Sequence, residues 1–415
     1  MGAHAIAHGD VLAVLRELPS NEFDAGLCDP PYGFSFMGKK WDYDVPSVET
    51  WRELLRVLKP GAPVIAFGGT RTFHRVAVGI EDAGFELRDV LSWMYGSGFP
   101  KSLDIAKAID KAAGHWRGRA GAVSSENPAM TGANYERTPK GEPITAAAAA
   151  WHGYGTALKP AWEPAILARK PLAGTVAANV DRWGVGGLAI DACRIGTSDS
   201  YNRAPASSGF SGIDGYAKGM GRQSDAANVG RWPANVAMDE EAGAAIDAQT
   251  GTDMRAGERP AKRSGMGFHG GEGTASGDRV VLDMGGASRF FYSAKVSTKE
   301  REWGCAEIPM RASSEIRGRE QDSAGILNPR AGAQGRGGAR NHHPTLKPIA
   351  LARWLARLIM PPTRDAKLLV PFSGAGSEMI GALEAGWPMA FGIEGEQGYI
   401  DIAHARIAAW KKGSP

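Results

Sequence analysis

The chain is poor in cysteine. Cys28, Cys193 and Cys305 are three in 415 residues, scattered and without a Cys-x-x-Cys pair, which excludes a disulfide framework and a cysteine-built zinc cluster. No apolar run approaches the length of a bilayer span. The first residues, Met1-Gly2-Ala3-His4-Ala5-Ile6-Ala7-His8-Gly9-Asp10, hold neither a basic leader nor an apolar core. A cytoplasmic chain with no membrane partner is the expectation. An excess of charge of one sign is also missing: 48 Lys and Arg against 45 Asp and Glu give +3, which permits nucleic-acid binding without pointing to it. What is present, 43% hydrophobic and 22% charged residues, is the composition of a globular protein and not of a disordered one. The length exceeds one ordinary domain of about 100–200 residues, so a large domain carrying a second module is expected.

A rhythm of strand and helix runs through both ends of the sequence. Val11 to Leu18 has helical spacing. Asp24 to Asp29 is short, apolar and stopped by Pro30-Pro31, the pattern of a buried parallel strand. Val48 to Leu58 again has helical spacing and ends at Lys59-Pro60-Gly61. Ala62 to Phe67 reads as a strand, Thr72 to Ala83 as a helix and Phe85 to Trp93 as a strand. Pro164 to Arg169 adds another strand. Near the end come a helix over Ile349 to Ile359, a strand over Lys367 to Val370, a helix over Gly376 to Gly386, a strand over Met389 to Glu394 and a helix over Glu396 to Trp410. Alternation of this kind predicts an α/β fold, a doubly wound and mostly parallel sheet of Rossmann type. No internal repeat is present.

The centre breaks the rhythm. Gly114 to Ala150 and Gly196 to Gly286 are rich in Gly, Ser, Asn and Arg and read as long loops or an inserted module, a reason to expect substrate binding there. Arg311 to Arg340 is rich in Gly and Arg and reads as a basic loop or a solvated linker. The expected organisation is therefore one half of the α/β domain over 1–175 with a loop insertion at 114–150, an inserted region and basic loop over 176–340 in which a target would be recognised, and the second half of the α/β domain over 341–415.

Two motifs carry chemistry. Asp29-Pro30-Pro31-Tyr32 lies at the carboxyl end of a predicted parallel strand, where open α/β sheets place their ligands. An exocyclic amine on a base is a poor nucleophile because its lone pair is delocalised into the ring. A catalyst must draw its hydrogens into acceptors. Asp29 offers a carboxylate, and the prolines, lacking N–H donors, leave a backbone carbonyl at Pro30 free beside it. Tyr32 offers a stacking face for a base extruded from a duplex. The second motif, Val370-Pro371-Phe372-Ser373-Gly374-Ala375-Gly376-Ser377, joins a predicted strand to a predicted helix and is followed by Gly392-Ile393-Glu394. Glycines admit a ligand close to the backbone, and an acid about 20 residues on suits a ribose diol. Spacing alone does not separate a dinucleotide from S-adenosylmethionine.

Together with His343-Pro344-Thr345-Leu346-Lys347-Pro348, the two motifs resemble the amino-methyltransferases of DNA, which modify adenine N6 or cytosine N4. The resemblance covers roughly residues 1–112 and 341–415, and the centre in patches. The catalytic motif precedes the cofactor motif, the order of the family's beta group. Gly98-Phe99-Pro100-Lys101-Ser102-Leu103 and Asn341 to Pro348 look like phage and prophage-borne members.

The resemblance implies Asp29, Pro30, Pro31 and Tyr32 as catalytic residues. It implies Phe372, Gly374, Gly376 and Glu394 as contacts to S-adenosylmethionine, with Ser373 and Ser377 in the same loop. Thr345, Lys347 and Pro348 resemble a segment closing over the cofactor, and Asp10 a position near its adenine. The other readings are a helix cap for Asp10, a surface lysine for Lys347 and a loop residue for His343. Where the family usually has Asp before Pro-Phe, this chain has Val370.

The partner implied is double-stranded DNA, with a homodimer left open and restriction–modification as the setting. Arg330, Arg336 and Arg340 are expected to grip phosphates. No metal is expected, since His342-His343 are adjacent and lack Cys or Asp partners. Phe290-Phe291-Tyr292 is read as a buried strand, and Trp93, Trp162 and Trp183 as core. Adenine N6 is the favoured target because the motif starts with Asp and not Ser. Cytosine N4, an RNA or protein amide, and a catalytically silent DNA-binding protein are the alternatives.

Overall fold

The computed structural model describes residues 2–34, 42–98, 102–115, 142–196, 230–251, 285–295, 297–312, 315–316 and 338–413. In chain order the elements are β1 (Ala3–His8), α1 (Val11–Glu17), β2 (Ala25–Cys28), α2 (Val48–Val57), β3 (Pro63–Phe67), α3 (Phe73–Asp82), β4 (Glu86–Met94), α4 (Ile105–Ala112) and α5 (Ala146–Ala150). They continue with β5 (Trp162–Arg169), α6 (Val176–Trp183), β6 (Val236–Asp239), α7 (Glu240–Thr250), β7 (Tyr292–Ala294), α8 (Ile349–Leu358), β8 (Lys367–Pro371), α9 (Ser377–Ala385), β9 (Met389–Glu394) and α10 (Gln397–Lys412).

Local signals account for the boundaries. Ser47 caps α2, its hydroxyl accepting from Thr50 N at 3.2 Å, and Glu49 adds an acid to the positive end of the helix. Thr50, Trp51, Leu54 and Val57 bury one face, and Pro60-Gly61 ends the run. Strand β3 is buried at every position, as a strand covered on both faces must be.

The strands form a nine-stranded sheet in the order β1-β9-β8-β2-β3-β5-β4-β6-β7. All pairings are parallel except those of β5, which runs antiparallel between β3 and β4. Alternate residues feed two apolar layers. Leu27, Ile65, Phe67, Leu368 and Val370 meet residues of α8 and α9 on one face. Cys28, Val64, Ala66 and Leu369 meet residues of α1, α2 and α3 on the other. The fold is thus the expected three-layer, mostly parallel α/β sandwich.

From β2 the chain continues to β3 on one side, whereas β8 continues to β9 on the other. The crevice where the two directions part, at the carboxyl ends of β2 and β8, is the switch point at which such sheets bind ligands.

The described residues fall into two compact units, Met1–Gly96 with Trp162–Pro415, and Ser97–Ala161. The smaller unit is organised by buried Asp110, whose carboxylate accepts from Ile144 N and Thr145 N at 3.0 Å each and from the Thr145 hydroxyl at 2.9 Å.

Three stretches differ from expectation. The loop-like centre hides β6 and α7, which the Gly- and Ser-rich composition masks. Ala146–Ala150, placed in a loop insertion, is a short helix capped by Thr145. Of Phe290-Phe291-Tyr292 only Tyr292 enters a strand, because Ala287–Phe290 closes as a 3₁₀ turn first. Among the described residues no helix is long and apolar enough to cross a membrane.

Candidate active site

Asp29 follows β2 at the switch point, and its turn is pinned from both sides. Buried Asp42 accepts from Tyr32 N at 2.7 Å and Gly33 N at 3.0 Å through Oδ1, and from Phe34 N at 3.3 Å through Oδ2. The Thr72 hydroxyl donates to Tyr32 O at 2.6 Å. Nothing in the sequence marks Asp42. Its role lies in three consecutive amides that converge on one carboxylate only after the chain has turned.

The Asp29 carboxylate is chelated. Lys347 Nζ lies 2.9 Å from Oδ1 and 2.9 Å from Oδ2, and the Tyr32 hydroxyl donates to Oδ1 at 2.9 Å. The same ammonium reaches Tyr32 Oη at 2.9 Å and Glu163 Oε2 at 3.2 Å, and it sits 4.6 Å from the centre of the Phe67 ring. Lys347 is therefore no surface lysine: 7% of it is exposed. Burial lowers its pKa, but Asp29 and Glu163 outweigh that and hold it well above the ordinary value. Burial and the Asp29 charge push the Tyr32 hydroxyl up, so it stays protonated and donates. Glu378, buried in the first turn of α9, is pushed up to about 7 by burial and by Asp29.

The second motif forms the turn between β8 and α9. Phe372 has φ +59°, a left-handed conformation that costs a bulky residue on the order of 1–3 kcal/mol and persists where its surroundings enforce it. Gly374, at φ +51°, packs so closely under the His343 ring that a Cβ there would lie 2.8 Å from Nε2. Ser373 is buried, and its hydroxyl has no partner among the described residues. Glu394, at the end of β9, accepts from Gly374 N at 2.8 Å and Glu396 N at 2.9 Å. It fastens the glycine turn to the neighbouring strand, and burial raises its pKa despite those amides.

The remaining expected residues are placed as follows. Asp10 caps α1, accepting from Ala13 N at 3.0 Å, and the adjacent Gly9 N donates to Glu394 O at 3.0 Å, which brings it next to the end of β9. Thr345 is exposed and its carbonyl accepts from His343 Nδ1. Pro348 precedes the first turn of α8. Ser377 Oγ accepts from Arg406 Nη1 at 3.2 Å. Arg340 donates to Ile308 O at 2.6 Å, so its guanidinium has a partner inside the fold. Arg330 and Arg336 lie outside the described residues.

Trp93 is core, whereas Trp162 and Trp183 are half-buried. Among the described residues no group of three His, Cys, Asp or Glu side chains could hold a metal ion.

Besides Asp42, two residues near the motifs were not legible beforehand. Glu163 is the second residue of β5, and Arg406 of α10 is 1% exposed, donating to Ala375 O at 2.5 Å and to Glu300 O at 3.2 Å. Arg406 ties the glycine turn to the segment before α8.

No protein-family model matches the chain. One stretch of 66 residues is 42% identical to the type II methyltransferase M.HindIII of Haemophilus influenzae. That stretch spans 15% of this chain and 21% of that enzyme. Solved structures of similar shape include the PvuII DNA methyltransferase, described as cytosine-N4-specific, with TM-score 0.44 and 11% identity over 98% of this chain and 86% of that one. Another is M1.HpyAVI, also crystallised as a SAM complex, with TM-score 0.37 and 11% identity over 97% and 98% of the two chains.

Proposed function

We propose that this chain is an S-adenosylmethionine-dependent DNA methyltransferase that methylates an exocyclic amine, with adenine N6 the favoured acceptor. The observation that carries the reading is the meeting, at one switch point, of an oriented carboxylate at Asp29 with a glycine turn fastened by Glu394. The short match to M.HindIII supports it. The close backbone of Gly374 and Gly376, the unpartnered Ser373 hydroxyl and the Glu394 carboxylate suit a nucleoside bearing a ribose diol. Phe372, Ser373, Gly374, Gly376, Ser377 and Glu394 would hold the cofactor, with Asp10, Thr345 and Pro348 around it.

The cofactor supplies a methyl group on a sulfonium centre. This chain's residues hold and polarise the acceptor. Asp29 and the Pro30 carbonyl would accept the two amine hydrogens and free the nitrogen lone pair from the ring; as the nitrogen took the methyl group that S-adenosylmethionine would supply, leaving the cofactor as a thioether, Asp29 would draw off the proton the amine sheds. Tyr32 stacks on the extruded base. Cys28 is buried inside β2 and its thiol is pushed far up by burial, which makes it useless as a covalent nucleophile and leaves direct transfer. Lys347 belongs with Asp29 in this reading, not with the cofactor. Duplex DNA is held by Arg330 and Arg336 and by side chains of the 176–340 region.

The test is to incubate the protein with duplex DNA and S-adenosylmethionine, digest to nucleosides and identify the product by mass spectrometry. N6-methyladenine is expected. N4-methylcytosine would move the acceptor assignment, and no methylated nucleoside would overturn the proposal.

A further inference from the structure

Lys347 has more acceptors than it has hydrogens. An ammonium carries three N–H donors, yet Asp29 Oδ1, Asp29 Oδ2 and Tyr32 Oη lie at 2.9 Å each and Glu163 Oε2 at 3.2 Å. With both carboxylates ionised the three residues Asp29, Glu163 and Lys347 carry a net negative charge. Paired with Lys347 alone, Asp29 would be fully neutralised, and a neutralised carboxylate is a poorer hydrogen acceptor.

Glu163 reaches this point because β5 is antiparallel. Its first residues, not its last, lie at the ligand end of the sheet, opposite Trp93 in the register. Its charge is felt by a neighbouring side chain: Tyr95 is pushed up to about 12 by burial and by Glu163.

We infer that Glu163 is a positioning residue for Asp29, sharing the Lys347 ammonium so that the Asp29 carboxylate stays oriented yet keeps enough charge to accept a hydrogen from the target amine. The inference rests on the proposed methyl transfer to such an amine.

The variants that test it are Glu163→Gln, which keeps shape and loses charge, and Glu163→Asp, which keeps charge. Glu163→Gln should lower single-turnover kcat about 10-fold, the scale of one charge in a partly screened site. Affinity for S-adenosylmethionine should change less than twofold. Glu163→Asp should recover most of the lost rate. A four-protein stability cycle with Lys347→Met should show coupling between positions 163 and 347. Wild-type kcat in Glu163→Gln, equal losses in the Gln and Asp variants, or additive stabilities would each overturn the inference. A wild-type protein that transfers no methyl group to DNA sinks the functional reading instead, and the stability cycle still reports whether Glu163 and Lys347 are coupled.

Discussion

Lys347 and Asp29 stand 318 positions apart in the sequence, and the ammonium of one sits 2.9 Å from both carboxylate oxygens of the other. The contact joins the Asp29-Pro30-Pro31-Tyr32 motif to the segment that precedes the Phe372–Ser377 turn. Neither charge is independent of the other, since losing one partner of a buried pair leaves the other uncompensated.

Asp29→Asn should therefore do two things at once. Methyl transfer should fall at least about 100-fold, the usual effect of removing one oriented polar group from a transition state, while S-adenosylmethionine affinity stays within a factor of about two. Stability should fall by about 1–3 kcal/mol, because Lys347 loses a charged acceptor. Radiolabelled methyl transfer, calorimetry and urea denaturation measure the three. Residual turnover near wild type would remove Asp29 from the reaction.

Glu394→Ala should weaken S-adenosylmethionine binding by about 1.5–3 kcal/mol, the worth of hydrogen bonds to a charged group. It also frees the amides of Gly374 and Glu396, so the glycine turn should become open to amide hydrogen exchange. Calorimetry with unchanged affinity would show that the carboxylate serves the turn and not the ligand.

Arg406→Met keeps apolar volume but strips donors from Ala375 O and Glu300 O. Two acceptors left short at about 1–3 kcal/mol each predict a loss of about 2–6 kcal/mol. A urea midpoint unchanged from wild type would contradict this.

Opposed titrations govern the response to pH. Folded Glu378 keeps its proton up to about 7, because of burial and Asp29, whereas an unfolded Glu releases it near about 4.3. Its contribution to stability is present at low pH and is lost as pH rises through that window. Burial lowers His343 to about 4, so its contribution is present above about 6.5 and is lost as pH falls toward 4. The two slopes oppose each other between about 4.5 and 6.5. Glu378→Gln removes a slope that falls with pH, so the melting temperature of the variant relative to that of the wild type should rise from pH 5 to 7. A difference that stays constant or falls over that range would contradict the assignment.

What was legible in the sequence follows from how each residue acts. Asp29-Pro30-Pro31-Tyr32 and the Phe372–Ser377 turn announce themselves because their residue types fix local backbone. Most strand and helix ends fell within a residue or two, stopped by Pro and Gly. Asp10, read either as cap or as ligand contact, does cap α1. Asp42 acts through amides 8 to 10 positions away and Arg406 through carbonyls 31 and 106 positions away, which no residue type signals. Glu163 escaped because motifs are sought at the carboxyl ends of parallel strands, and an antiparallel strand brings its amino end to the same place. β6 and α7 escaped because Gly- and Ser-rich sequence on either side conceals their periodicity.

The pairing of β2 with β8, Ala25 against Leu368 and Gly26 against Leu369, sets an order of events on folding. Closing a loop that long is slow, and the strands on either side of it wait for one another. During synthesis β2 and β3 emerge early with one edge of β2 uncovered, and that edge stays open until the chain has grown past Pro371. A partly made chain holds Asp29 with neither Lys347 nor the glycine turn. Asp29 can thus meet Lys347 and the glycine turn only late, and a ribosome stalled before residue 347 carries a sheet edge free to pair with other strands and an Asp29 without those partners.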